Sequence, residues 1–171
     1  MKKIIIIYGI IAGLVIVVPI TLSIQYGNGS IWFGYLIIFI AFSAIYVATR
    51  QYRDHYLGGI IDFKIALQVG LGITAVAGVL YTLVWEVYLA FTDFRFIEDY
   101  AQAIIANARN SSASEAEIAA TKQQVEAFKT QYRNPLIRLP QTLIEILPPG
   151  IIVSLFSAAV LRNHRSIKAS K

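Results

Sequence analysis

The hydrophobic pattern divides the chain into four long apolar runs. They cover about residues 4–24, 31–49, 65–91 and 140–161. Each approaches or exceeds the ~20 residues that a helix needs to cross a bilayer. The runs predict an all-α integral membrane protein: a four-helix bundle treated as one membrane domain over residues 1–171. A polar interval between runs three and four has helical periodicity of its own. It predicts an extramembrane amphipathic hairpin at about residues 93–133.

The first run follows Met1-Lys2-Lys3. Two lysines before an apolar stretch also fit a signal peptide. A full-span length and only a weak cleavage match, Thr21-Leu22-Ser23, favour a retained helix. Gly9 and Gly13 form a G-x-x-x-G pair suited to close helix approach. Pro19 is expected to disturb the last turns. Gln25 to Ser30, with Gly27-Asn28-Gly29, reads as a turn. Asn28-Gly29-Ser30 and Asn110-Ser111-Ser112 match the glycosylation pattern and are read as chance.

The second run opens with Trp32 and Tyr35, as at a membrane interface. Gly34, Ala41, Ala44 and Ala48 make a stripe of small residues. The interval RQYRDHYLGGIIDFK (Arg50–Lys64) reads as a charged loop turned by Gly58-Gly59. Arg53 and Asp54 are expected to pair with different neighbours there.

The third run, KIALQVGLGITAVAGVLYTLVWEVYLAF (Lys64–Phe91), carries Glu86 directly after Trp85. A carboxylate in such a setting must be paired, protonated or near headgroups. Gly70, Thr74, Gly78 and Thr82, spaced by four, form a small row leading to it. No Gly or Pro occurs between Gly78 and Pro135, so composition leaves helix free to continue well beyond the membrane.

In the hairpin, Phe94, Ile97, Ala101, Ile104, Ile105 and Ala108 share one face. A break at Arg109–Ser114 precedes a capping box, Ser114 with Glu117. Ile118, Val125, Phe128 and Tyr132 line the second helix, which Asn134-Pro135 stops. Three roles fit the hairpin: a cap on its own bundle, a helix pair in the headgroup layer, or a partner surface. Pro140 and Pro148-Pro149 are expected to interrupt the fourth run around Glu145. They mark either a functional break or the entry of an interfacial segment. Gly150, Ser154 and Ala158 form another small row.

Composition agrees with this picture: 57% of residues are hydrophobic and only 15% charged. Soluble domains carry about 25% charged residues. The net charge of +5 lies mostly beside the apolar runs. There it orients the protein and touches anionic headgroups, so nucleic acid is not an expected partner. The N-terminus, the Arg50–Lys64 interval and the tail RNHRSIKASK are rich in Lys/Arg. The positive-inside rule therefore puts both termini in the cytoplasm. Residues 92–138, with six basic and six acidic residues, then lie outside.

At about 1.5 Å per residue, Glu86 counted from Lys64 and Glu145 counted from Arg162 both fall in the outer part of the bilayer. Their mutual direction is open.

The stretches Gly34–Gly59, Phe63–Tyr88 and Asn134–Arg162 resemble an uncharacterised family of bacterial membrane proteins, domain of unknown function 4199. Tyr52-Arg53-Asp54, the Trp85-Glu86 pair and Glu145 before the prolines carry most of the likeness. The family more usually has one proline and a nearby glycine after the last acid, where this chain has two prolines. The resemblance implies a four-span inner-membrane protein and brings no activity, cofactor or catalytic residue.

Three functions compete. A non-enzymatic protein would act through helix packing and envelope-side association, with lipid around it and a second copy or an envelope protein as partner. A small proton-coupled carrier would use Glu86 and Glu145; against it, each acid simply pairs at the outer interface, for instance with Arg95 or Arg138. A membrane enzyme is least favoured. There is no cysteine, no G-x-S-x-G or H-E-x-x-H, and His55 and His164 are expected on the cytoplasmic side. No metal or cofactor is expected. The candidate polar positions are Glu86, Glu145, Arg53, Asp54 and Trp85.

Overall fold

A computed structural model describes residues 1–25, 31–111 and 113–163. Among them are six helices and no strand: α1 Lys2–Gln25, α2 Ile31–Tyr56, α3 Phe63–Phe91, α4 Arg95–Asn110, α5 Glu115–Tyr132 and α6 Pro135–Leu161. Four are long and apolar enough to cross a membrane: Lys2–Ile24, Trp32–Tyr56, Phe63–Phe91 and Pro135–Leu161. The turn expected at Gly27-Asn28-Gly29, the first glycosylation match, Ser112 of the second and the basic tail from His164 lie outside the described residues. The chain forms two compact units, Met1–Leu83 with Leu143 onward, and Val84–Thr142.

In the first unit, glycine lets helices touch where any Cβ would collide. A Cβ on Gly9 would meet the Val76 side chain, and one on Gly13 would meet Leu80 at 2.9 Å. The G-x-x-x-G pair thus seats α1 against α3. The small rows of α3 and α6 face each other. A Cβ on Gly70 would lie 2.7 Å from Ser154, and one on Gly150 would run into Thr74. Their hydroxyls bond within their own helices, Thr74 to the Gly70 carbonyl at 3.0 Å and Ser154 to the Gly150 carbonyl at 2.6 Å. Both of these seam hydroxyls are thereby satisfied without water. The α2 stripe packs only in part: Ala41 and Ala48 are buried, while a Cβ on Gly34 would meet nothing within 4 Å among the described residues.

Three expectations are corrected. Much of the Arg50–Lys64 interval is helix, since α2 runs to Tyr56. Its turn is where glycine is needed: Gly58 and Gly59 have φ of 63° and 88°. Asn163 clamps this turn, accepting from the Ile61 N–H at 2.9 Å and donating to the Gly59 carbonyl at 2.8 Å.

The prolines do not break α6, which is continuous from Pro135 to Leu161. Pro135 sits in the first turn, where its missing N–H costs nothing. The Asn134 side chain caps it by accepting from the Leu136 N–H at 3.0 Å. Farther on, packing of the small row against α3 holds the helix through Pro148-Pro149.

Helix does not continue from α3 into the hairpin. Asp93 and Phe94 turn left-handed, with φ of 46° and 57°, and the Phe94 N–H reaches back to the Leu89 carbonyl at 3.0 Å.

The second unit holds the hairpin, whose α4 buries Ile97 and Ala101 and whose α5 buries Val125. The capping box forms in full: the Glu117 N–H donates to the Ser114 hydroxyl and the Ser114 N–H to the Glu117 carboxylate. Those bonds, first from the Ser114 N–H and then from its hydroxyl, hold the Glu117 carboxyl below its usual value. A depressed carboxyl stabilises the fold above its unfolded value and stops doing so as pH falls through the folded one. Protection of the α5 first turn in hydrogen exchange should therefore weaken at acid pH. Ser114→Ala should remove about 1 kcal/mol and lessen that pH response in part, because the backbone N–H at residue 114 still donates to Glu117.

Candidate functional site

The densest polar cluster in the second unit is built on Arg138, in the first turns of α6. It is 4% exposed. Its Nε donates to Glu86 Oε1 at 2.7 Å and its Nη2 to Oε2 at 2.5 Å, a bidentate pair. Nη1 donates to the Tyr132 and Arg133 carbonyls at 2.8 and 3.2 Å. Those are end-of-helix oxygens of α5 that have no partner within the helix. The guanidinium also lies 5.1 Å from the Phe94 ring and 5.8 Å from that of Tyr132. One side chain thereby joins the end of α3, the left-handed turn, the end of α5 and the start of α6. The conformation of Phe94, unusual for a bulky residue, places its ring against this cation.

An aromatic chain continues from the cluster. The Trp85 indole N–H donates to the Tyr132 hydroxyl at 3.0 Å, and the ring stacks on Tyr88 and meets Phe96 edge-on. Phe96, Tyr100, Phe128 and Tyr132 follow in sequence across α4 and α5. Lys129 bridges the two helices through Glu98 at 2.7 Å. Its hydrogen bonds to Glu98 and then Glu126 raise the Lys129 ammonium above its ordinary value. That contribution is complete below the unfolded lysine value and is lost as pH rises through the raised one.

The candidate positions separate. Glu86 and Trp85 meet in this cluster, and of the two partners considered for Glu86, Arg95 and Arg138, Arg138 is the one bonded. Glu145 belongs to the first unit and lies exposed on α6 with Ile144. Among the described residues it makes no ion pair. Arg53 and Asp54 pair with each other at 2.6 Å rather than with different neighbours; Arg50 adds a contact to Asp54 at 3.6 Å. His55 is exposed. Among the described residues no three His, Asp or Glu gather where a metal would sit.

Sequence reasoning missed the aromatic path and the two carbonyls on Arg138. The signal available was a cation at the start of an apolar run, with aromatics at helical spacing on both hairpin arms. Chemically the cluster joins helix ends: both carboxylate oxygens are occupied, and Arg138 stays protonated at any working pH.

No curated protein and no solved structure matches the chain significantly. A family model described as protein of unknown function, DUF4199, matches residues 6–163, and the chain belongs to that family.

Proposed function

We propose that this multi-pass membrane protein is a non-catalytic component of the bacterial inner membrane, with both termini cytoplasmic. It works by presenting the α4–α5 hairpin to an envelope-side partner. The observation that carries this reading is the Arg138 cluster, which ties the hairpin to the ends of α3 and α6. A surface held that firmly loses little freedom when it binds. Ala103, Ala106, Ala116, Ala119 and Ala120 are exposed on it, interspersed with charges of both signs. Small side chains of that kind allow close approach at low entropic cost.

The chain has no cysteine, so Ala119→Cys introduces a single thiol. In cells with a permeabilised outer membrane it should react with an impermeant maleimide. A thiol-anchored cross-linker in native membranes should yield one discrete larger species. Labelling only after lysis would reverse the orientation. A monomer at every cross-linker concentration would remove the association.

A second reading, a carrier, draws on Glu145, which is exposed beside Ile144 without an ion pair among the described residues. It requires proton-coupled flux in proteoliposomes that Glu145→Gln abolishes, and equal flux in parent and variant would end it.

A further inference from the structure

Where α1 begins and α2 ends, a groove of about 290 Å³ opens between the two helices. Its apolar wall is Ile4, Ile7 and Ile11, and its rim is Lys3, Tyr8, Gln51 and Tyr56. Lys3, Ile7 and Ile11 recur every four residues and so line one face of α1. The rim is partly organised: the Tyr8 hydroxyl donates to Gln51 Oε1 at 2.8 Å. With that oxygen engaged, the Gln51 amide turns its N–H₂ donors elsewhere.

Both helices that form the groove are long and apolar enough to span a membrane. Ile7 and Ile11 are 44% and 46% exposed, which in a bilayer means facing hydrocarbon. Water would find partners only at the rim, and an apolar wall stays dry. The volume sits at the lower edge of the ~300–1,000 Å³ of small-molecule sites. It suits a headgroup and the first part of a chain.

Charge decides the headgroup. The first turn of α1 contains Lys2 and Lys3 and no acid, and among the described residues Lys3 forms no ion pair. Asp54 of α2 is already engaged by Arg53 and Arg50. A cation without an ion pair among the described residues, beside the Gln51 amide donors, matches a phosphate diester.

We propose that this groove binds one anionic phospholipid, its phosphate at Lys3 and Gln51 and an acyl chain along Ile4, Ile7 and Ile11. The site is the same whichever face of the membrane this end of the bundle occupies.

The test is native mass spectrometry of the full chain, released from micelles containing equimolar phosphatidylglycerol and phosphatidylcholine. The parent should retain one phosphatidylglycerol in preference. Lys3→Gln should cut that preference about fivefold, the effect of one surface cation at ~1 kcal/mol. Lys122→Gln on the hairpin should leave it unchanged. Ile7→Trp, which fills the groove and keeps Lys3, should abolish retention of both lipids. Glycerol 3-phosphate, the headgroup chemistry without chains, should not displace the lipid. Equal retention of the two lipids by the parent, an unchanged preference in Lys3→Gln, retention by Ile7→Trp, or displacement by glycerol 3-phosphate would each overturn the site.

Discussion

Glu86→Ala should destabilise the protein by about 3 kcal/mol, the low end of what removing one partner of a buried ion pair costs. The cost comes mainly from what remains. Arg138, with 5% of its side chain exposed, keeps its charge without a counter-ion at a membrane boundary. Arg138→Ala should cost a comparable amount by another route. Glu86 retains 25% side-chain exposure and can rehydrate in part, but the Tyr132 and Arg133 carbonyls lose their donor and Phe94 loses its cation.

The double variant Glu86→Leu with Arg138→Met should be far milder than the sum, because no orphaned charge is left. Arg138→Lys should not rescue, since an ammonium cannot bind both carboxylate oxygens and two carbonyls with that geometry. Thermal denaturation in detergent gives the free energies, and trypsin cleavage after Lys129 and Arg133 reports whether the hairpin has come loose. Strictly additive losses would show that the two side chains do not act as a pair.

The second large effect is expected at the α3–α6 seam. Gly150→Ala adds one carbon where Thr74 already sits. Thr74 is 1% exposed, and its hydroxyl is bonded to the Gly70 carbonyl, so it has nowhere to swing. Overpacking of this kind costs about 1–3 kcal/mol. It should exceed the small gain in helix propensity that alanine brings. Thr74→Ala in the same chain removes the two nearest clashing atoms and should recover part of the loss. Gly34→Ala, whose Cβ meets nothing within 4 Å among the described residues, should be neutral or slightly stabilising. The three variants compared by thermal unfolding separate seam packing from general glycine effects. A Gly150→Ala protein as stable as the parent would mean the helices do not approach as closely as described.

Helix number and the positions of small residues were legible before any coordinates, because they depend on single-chain periodicity. The Gly70–Gly78 and Gly150–Ala158 rows announced an interface by composition alone. The capping box at Ser114 and Glu117 was equally legible, since both partners lie within one turn. The failures share a cause. The α3–α4 break contains no glycine or proline; it rests on Asp93 and Phe94 turning left-handed. Phe94 is held there beside a guanidinium that is distant in sequence. Continuity of α6 through its prolines likewise depends on what packs against it.

What the sequence alone determined about this protein is its solvent. Four stretches are too apolar and too long for water, and a sum over some twenty residues survives local error. Which side chains meet was decided only by the tertiary structure. Glu86 and Glu145 look alike as isolated acids in apolar runs, yet one is gripped by Arg138 and the other stands exposed, without an ion pair among the described residues. The difference is the direction each helix face takes, and that direction is set by packing between helices rather than by residue order.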